Sequence, residues 1–331
     1  MKTSYLAPAV IILGSITILI YFAIEINSVT EINRRQKIKI AVNEWVGNGP
    51  IIYAKQMGIF EKYGLDVEVI QTIGQAESNL DFINKKVDAI GSVLSDALLI
   101  RSNNNNGQIV LISDYSLTGD VLVAGKEIQS ITELKNKKIG IDYINSFSHM
   151  FAIEALKKYN IKEYEVEFKI IPYDKISLAI KNNEIAAGHT YSSGKNIAIN
   201  EGHHILFSAG EIPGLILDGI LFQDSFIKDN PEKVKQFIDA FYEAQELMIK
   251  DSQKSSIIIA SFLKTNPELF MQSYSDVHFV NRIENNSFFN FNGPSNKGEN
   301  LINRYFSFYA ERGQLKNEDS VKNIFCRGIY Q

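Results

Sequence analysis

The sequence predicts an α/β protein with two lobes. From residue 37 to about residue 223, short β-type stretches alternate with helix-type stretches, which is typical of α/β architecture with mostly parallel sheets. Past Asp224 the pattern becomes helical, starting with a strongly amphipathic stretch at 231–250. The 331 residues, 45% hydrophobic and 22% charged, are enough to build two lobes of this kind.

The first β-α-β unit occupies residues 38–69. Apolar residues alternate along 38–42 and predict a buried strand, and Pro50 suits the first position of the helix that follows. Gly58 ends that helix, and a second strand begins at Leu65. In open parallel sheets, ligands bind at the carboxyl ends of strands. Here that position holds Asn43, Glu44, two glycines and Trp45, which is the only tryptophan in the chain.

The remaining elements follow from hydrophobic periodicity and from turn residues. Further strands are expected at 87–90, 108–113, 121–124, 138–142, 166–171, 185–190, 204–208 and 219–222. Further helices are expected at 74–85, 95–101, 130–135, 147–159, 176–181, 195–201, 231–250, 255–264, 267–273 and 297–312. The polar and aromatic segment 281–293 matches neither pattern.

This order of elements predicts two crossings between the lobes. The first lobe would contain residues 37–122 together with 218–331, and the second lobe would contain residues 123–217. The cleft between the lobes would then be the binding site.

The N-terminal segment predicts a membrane signal. Residues 3–24 carry no charge. The segment is roughly long enough to cross a bilayer as a helix. There is no cysteine and no clear small-residue cleavage motif here, so residues 1–32 are predicted to form an uncleaved signal-anchor, with cleavage near Ser28 as the alternative. Lys2 precedes the segment and three basic residues follow it between 34 and 37, which by the positive-inside tendency favours a cytoplasmic C-terminal side.

The opening unit resembles a known family. Its run W-x-G-x-x-P, followed by YAKQMGIFEKYGLDVEV, resembles the start of the nitrate/sulfonate/taurine/thiamine-precursor class of ABC-transporter substrate-binding proteins. Further segments of the same class follow in the expected order: LSDALL at 94–99, SDYSLTGD at 113–120, SITELKNKKIG at 130–140 and FSAGEIPGLILDGIL at 207–221. The resemblance covers about 38–248. It implies a two-lobed type II periplasmic-binding-protein fold with a helical C-terminus, and it implies export.

The candidate ligand-binding residues are polar or aromatic and stand in turns, at helix starts or on the crossings. Trp45 offers a flat face for stacking or for a cation. Free N–H groups before the helix at 147, with two serine hydroxyls, could hold a polar or anionic group. The full set is Asn43, Trp45, Ser95, Asp96, Asp114, Ser116, Thr118, Asp120, Ser146, Ser148, His149, Tyr191 and Asp218.

Each of these candidates also has a structural interpretation. Trp45 could be a core residue, and the residues at helix starts could serve only as caps. The polar residues of segment 114–120 are common in turns, and His149 could be a satisfied surface histidine. Asp218 could form a hinge hydrogen bond.

Other chemistry finds little support in the sequence. The single cysteine, Cys326, excludes an internal disulfide, and the five histidines show no H-x-x-x-H spacing. Phosphate-loop, dinucleotide-binding and nucleophile-elbow motifs are absent. A net charge of −4 does not favour nucleic acid as a partner. No catalytic residue, metal or cofactor is therefore predicted.

The resemblance implies the solute-binding component of an ABC importer. Its partners would be a small-molecule solute, a permease and an ATPase, and the protein would be a periplasmic monomer, anchored to the inner membrane or released from it. Family ligands include nitrate, alkyl sulfonates, taurine and pyrimidine thiamine precursors. Several aspartates and no Arg or Lys among the candidates favour an amine-bearing or heterocyclic solute, although helix N-termini also bind anions. The alternatives are a biosynthetic enzyme on this fold, resembling the pyrimidine synthase of thiamine biosynthesis, and a membrane-tethered ligand sensor.

Overall fold

A computed structural model describes residues 37–103, 106–289, 297–317 and 323–329. The predicted signal segment, residues 1–32, lies outside this part of the chain. Within it, no helix combines the length and the apolar character that a membrane crossing requires.

The strands are β1 (Ile38–Val42), β2 (Val67–Gln71), β3 (Ala89–Val93), β4 (Gln108–Ser116), β5 (Val121–Ala124), β6 (Lys138–Ile141), β7 (Glu167–Ile170), β8 (Ala187–Thr190), β9 (His204–Ser208), β10 (Leu217–Phe222) and β11 (Val277–Phe279). They form one six-stranded sheet in the order β11-β4-β10-β3-β1-β2 and one five-stranded sheet in the order β7-β6-β8-β5-β9.

The helices are α1 (Gly49–Gln56), α2 (Ile59–Lys62), α3 (Gln75–Ile83), α4 (Leu94–Ser102), α5 (Phe147–Lys158), α6 (Ile176–Lys181), α7 (Ser192–Asn200), α8 (Asp224–Asp229), α9 (Pro231–Lys250), α10 (Ser252–Leu263), α11 (Pro267–Gln272), α12 (Arg282–Phe289) and α13 (Lys297–Ala310). Short 3₁₀ helices lie at Val46–Asn48, Ile131–Leu134, Glu163–Glu165, Tyr173–Lys175, Ala209–Glu211, Ser273–Asp276 and Arg327–Ile329.

Each sheet combines a parallel core with an antiparallel crossing strand. β1 runs parallel to β2 and β3, and β6 runs parallel to β7 and β8. β10 runs antiparallel to both of its neighbours in the first sheet, and β5 does the same in the second. The predicted α/β class is therefore confirmed, and the crossing strands make both sheets mixed. The lobe boundaries predicted at 122/123 and 217/218 fall inside β5 and β10.

The C-terminal helices pack onto the first sheet. In α9, Phe237 is fully buried and stacks on Phe60 of α2, with ring centroids 5.2 Å apart. The segment 281–293, which matched no sequence pattern, contains α12. Its buried Asn285 donates from Nδ2 to the Ile112 carbonyl and accepts the Ile112 N–H at Oδ1, both at 2.7 Å. These two bonds fix α12 to β4 in the way that a neighbouring strand would.

Candidate functional site: the interlobe cavity

A small cavity lies between the two sheets, beside the carboxyl ends of β1 and β3. Its volume is about 20 Å³, which is close to the space that one water molecule needs. The walls come from both lobes and from both crossings: Asn43, Trp45, Asn48, Gln75, Gly91, Val93, Asp120, Phe147, Tyr191, Ile216 and Asp218. The lobes therefore meet tightly around this point.

Aromatic rings from both lobes form one wall. Trp45 lies 6.3 Å from Tyr191 in an edge-to-face arrangement, measured between ring centroids. Tyr191 in turn stacks on Tyr173 at 4.2 Å and contacts Phe147 at 5.8 Å. The Trp45 Nε1–H donates to Asp114 Oδ1 over 3.0 Å, which fixes the orientation of the indole. These faces give the cavity an apolar wall with a defined shape.

Side-chain amides of the first lobe form a second wall, and they bond to one another. Asn43 Oδ1 accepts from the Trp45 N–H at 2.9 Å and from Asn48 Nδ2 at 3.0 Å. Asn43 Nδ2 donates to Gln75 Oε1 at 3.3 Å, and Gln75 Nε2 donates to the Gly91 carbonyl at 3.2 Å. A Cβ on Gly91 would lie 2.0 Å from Asn48 Oδ1, so this packing requires glycine there. The network holds the amides in fixed positions.

Three buried aspartates stand on the crossings. Asp218 of β10 is the register partner of Asp114 of β4, so the two lie side by side in the sheet. Asp114 accepts from Trp45 and, at 2.7 Å, from the Ser113 hydroxyl. Asp120 Oδ1 lies 3.1 Å from Nε2 of the buried His189. The Oδ2 atoms of Asp120 and Asp218 are buried and have no hydrogen-bond partner among the described residues.

Burial makes the carboxyl groups of Asp114 and Asp218 hard to ionise together, because it raises the pKa of each. Burial, together with the nearby charge of Asp120, raises the pKa of Asp114 to about 7. The pKa of Asp218 is raised well above its usual range, first by burial and then by the charges of Asp114, Asp120 and Asp96. A positive charge placed among these groups would favour their ionised forms.

Two further carboxylates, Glu44 and Asp96, bond across the cleft. Glu44 Oε1 accepts from the Tyr173 hydroxyl at 3.0 Å and from the N–H and hydroxyl of Ser193 at 3.1 and 2.6 Å. Asp96 accepts the Tyr143 hydroxyl at 3.0 Å and the Phe147 N–H at 3.2 Å. Glu44 and Asp96 belong to the first lobe and all of these donors belong to the second. The bonds therefore hold the cleft closed.

A third link between the lobes is an ion pair nearer the surface. Lys195 Nζ of α7 lies 2.6 Å from Asp276 Oδ2 and donates to the Thr118 carbonyl over 3.0 Å. The hydroxyl of Thr118 donates to Asp276 Oδ1 over 2.7 Å. The candidate Thr118 therefore belongs to this link between the lobes, and it does not line the cavity.

Five of the residues predicted from sequence line the cavity: Asn43, Trp45, Asp120, Tyr191 and Asp218. Asp114 lies directly behind Trp45, and the Ser116 hydroxyl accepts the Asp120 N–H at 2.9 Å. Their ligand contacts stay predictions, but their positions fit a shared site.

The other candidates lie outside the lining. Ser95 is fully buried in α4 and Asp96 bridges the lobes. Ser146 caps α5 by accepting the His149 N–H at 3.2 Å, as its structural interpretation proposed, and Ser148 accepts the Asp142 N–H at 3.1 Å.

His149 lies in a different environment from the cavity. It is buried, and its ring centroid lies 4.4 Å from that of Phe168. Its Nδ1 accepts the Asn145 N–H at 3.1 Å, and burial lowers its pKa to about 4. The alternative of a surface histidine does not describe this buried ring, and the structure does not bring it to the cavity.

The sequence interpretation missed Glu44, Asn48, Gln75 and Phe147. Glu44 stands between two predicted residues in the same turn, and Gln75 starts α3 after β2. The rule that polar residues after strands face the cleft could have found both. Asn48 gives no such signal, because its role depends on the bond to Asn43.

Two α/β lobes joined by two crossings, with a cavity between them, define the fold class of periplasmic solute-binding proteins. A family model described as "NMT1/THI5 like" matches residues 46–255, which is more than half of the chain. The chain belongs to this family.

The curated relatives include both a protein named as a binding protein and one named as a synthase. A putative binding protein of Brucella abortus is 25% identical over 236 residues, 68% of this chain and 70% of the relative. The 4-amino-5-hydroxymethyl-2-methylpyrimidine phosphate synthase THI11 of Saccharomyces cerevisiae is 25% identical over 228 residues, 62% of this chain and 64% of the relative.

Among solved structures, the periplasmic aliphatic sulphonate binding protein SsuA from Escherichia coli aligns with a TM-score of 0.72 at 13% identity, covering 89% of this chain and 99% of that one. The periplasmic nitrate-binding protein NrtA from Synechocystis PCC 6803 aligns with a TM-score of 0.71 at 13% identity. The alignment covers 89% of this chain and 87% of that one. At this identity the likeness establishes the fold.

Proposed function

We propose that this protein is the solute-binding component of an ABC importer. The observation that carries the proposal is the cavity whose walls come from both lobes, with Glu44 and Asp96 bonding across the cleft around it. A solute in this cavity would contact both lobes only when they are closed. Its binding energy would therefore shift the protein toward the closed form.

The partners follow from this role. A membrane permease with its ATPase would recognise the closed form and accept the solute. The location would be periplasmic, with residues 1–32 as an anchor or a cleaved signal. The fold shared with proteins named as periplasmic binding proteins supports this location.

The solute class that fits the walls best is an amine-bearing or aromatic heterocyclic molecule. Trp45, Tyr191 and Phe147 provide faces for stacking, and Asp120 and Asp218 provide carboxyl groups whose ionised forms a bound positive charge would favour. None of the described residues that line the cavity is Arg or Lys. Nitrate and alkyl sulfonates would meet carboxylates here, so they fit less well.

An enzymatic role is the second candidate, because the yeast relative is named as a pyrimidine phosphate synthase. This protein would then convert a solute in the cavity rather than deliver it. Product formation by the purified protein, with candidate cofactors added, would distinguish the two roles.

The proposal is tested by solute binding to the full-length protein. Thermal unfolding and tryptophan fluorescence would be measured with pyrimidines, amines, sulfonates, nitrate and taurine. Because Trp45 is the only tryptophan, any change in tryptophan emission reports on the cavity wall. We expect one class to raise the melting temperature and to change the emission together. Turnover of a solute, without stable binding of any, would contradict the proposal.

A further inference from the structure

The polar groups that line the cavity fall into two sets that differ in their bonding. The side chains of Asn43, Asn48 and Gln75 bond to one another and to the backbone. The carboxylates of Asp120 and Asp218 each keep one buried oxygen, Oδ2, without a partner. A solute therefore meets amides that bond to one another and carboxylates that each keep an oxygen without a partner among the described residues.

The two carboxylates are built into the site from different crossings. Asp120 precedes β5 on the outgoing crossing and is 2% exposed, and Asp218 stands in β10 on the return crossing and is 8% exposed. The other carboxylate oxygen of Asp120, Oδ1, is hydrogen-bonded to His189 Nε2, and the Asp120 N–H donates to the Ser116 hydroxyl. Both open oxygens therefore belong to side chains that are more than nine-tenths buried, and hydrogen bonds also fix the position of Asp120.

The chemistry of an open, buried carboxylate oxygen selects its partner. An ionised carboxylate oxygen accepts hydrogen bonds only, and burying it without a partner is costly, so the group either holds a proton or pairs with a donor that carries positive charge. The Oδ2 atoms of Asp120 and Asp218 can therefore accept hydrogen bonds from two N–H donors of one solute. A quaternary ammonium group could lie against the Trp45 ring, but it has no N–H to give.

We propose that the solute is a small organic cation with at least two N–H groups on its charged centre, such as a primary ammonium, amidinium or guanidinium, bound by Asp120 and Asp218. This inference rests on the proposed function, because it assigns the solute of the same cavity. The aromatic wall of Trp45 and Tyr191 packs against the remainder of the molecule.

The first experiment identifies what the protein takes from a mixture. The full-length protein is equilibrated with the small-molecule fraction of a yeast-extract medium and washed, and the compounds released on denaturation are identified by mass spectrometry. An N–H-bearing organic cation supports the inference. A quaternary, neutral or anionic compound overturns it while the proposed function stands. If nothing is retained, the inference and the proposed function both fail.

The second experiment measures the affinity for the retained cation by calorimetry. We expect Asp120→Asn and Asp218→Asn each to weaken binding by about 100-fold, because each removes the charge from one partner of a buried charge pair. The N-permethylated form of the compound should bind the unaltered protein with a similar loss. This arm stays informative even if an aspartate variant does not fold.

A matched control is Asp88→Asn, because Asp88 lies just before β3, at the end of that strand opposite to the cavity. Its carboxylate accepts the Lys39 N–H at 2.8 Å, and it is not part of the cavity lining. We expect its affinity to stay unchanged. Variants at Asp120 and Asp218 that bind as tightly as the control would overturn the assignment.

Discussion

The cleft contains two pairs of carboxylates with opposite bonding. Glu44 and Asp96, here called the latch carboxylates, accept hydrogen bonds from donors of the second lobe. Asp120 and Asp218, the cavity carboxylates, each keep an open oxygen. All four lie at the lobe boundary, so position alone does not distinguish them.

The difference separates two tasks. A carboxylate whose bonds come from the opposite lobe stabilises the closed form whatever the solute is. A carboxylate with an open oxygen contributes little until a donor arrives, and it then contributes selectivity. Latch substitutions should therefore lower the affinity for every solute by the same factor. Cavity substitutions should change which solute is preferred.

The largest effect should come from pH. Burial raises the pKa values of Asp114 and Asp218, so these groups hold protons that a cation must displace. Affinity for a cation should therefore rise with pH, by up to about 100-fold between pH 5 and pH 7 if one proton is released. Calorimetry in buffers of different ionisation enthalpy would count that proton.

Several groups act on this titration together. The carboxyls of Asp114, Asp120 and Asp96 face Asp218, with the His189 imidazole beside Asp120, the Tyr305 phenol near Asp218 and the His278 imidazole near Asp114. The control is Asp218→Asn, in which the pH dependence should shrink. An affinity that stays flat from pH 5 to pH 7 would show that Asp114 and Asp218 do not release a proton when the solute binds.

The next largest effect is expected for Asp96→Asn. The amide replaces an acceptor with a donor where the Tyr143 hydroxyl or the Phe147 N–H needs an acceptor, so the closed form loses charge-assisted bonds. Affinity should fall about tenfold for every solute, because less of the protein reaches the closed form. Calorimetry with two unrelated solutes measures this. A loss of affinity for only one of the two solutes would show that Asp96 acts as a cavity carboxylate.

A smaller effect is expected for Glu44→Gln. Glu44 is partly exposed, so water screens its charge and can replace part of each bond to Tyr173 and Ser193. We expect an affinity loss of about fivefold for every solute, since hydrogen bonds to a charged acceptor at a partly wet site contribute modestly. Small-angle scattering of the liganded variant should still show closed lobes. If the lobes of the liganded variant stay open, Glu44 contributes more to the stability of the closed form than we predict.

The smallest effect is expected for Lys195→Met. The side chains of Lys195 and Asp276 are 12% and 17% exposed, so the cost of removing both charges from water offsets much of their attraction, and the Thr118 hydroxyl still donates to Asp276 in the variant. The affinity should change by about twofold at most, and added salt should reduce the difference between variant and unaltered protein. Fluorescence titration of Trp45 at two salt concentrations measures both. A tenfold loss would place this pair with the latch carboxylates.

The sequence predicted the fold from patterns that are local. Alternation of strands and helices, and the amphipathic stretch that forms Pro231–Lys250, depend on neighbouring residues alone. The short strand Val277–Phe279 was not predicted, because its pairing with β4 comes from distant parts of the chain. Helix Arg282–Phe289 was unassigned for a similar reason, since its buried Asn285 depends on the backbone of Ile112.

The site was predictable where one rule applied. Polar or aromatic residues after strands and on crossings gave Asn43, Trp45, Asp120, Tyr191 and Asp218, all of which line the cavity. The same rule could not separate Asp96 from Asp120, because their difference lies in which donors approach them. Bonding across a cleft is set by the packing of two lobes, and a pattern within one segment does not contain it.

The tight fit of the lobes around the cavity has a kinetic consequence. A space of about 20 Å³ holds about one water molecule, so an organic solute can enter or leave only when the walls from the two lobes move apart. Escape must wait for the lobes to part, so the opening rate sets an upper limit on dissociation for every solute. Residence time would then be a property of the protein as much as of its cargo. Single-molecule measurements of the distance between the two sheets would test this limit. The closed state should then show the same shortest dwell time with every solute.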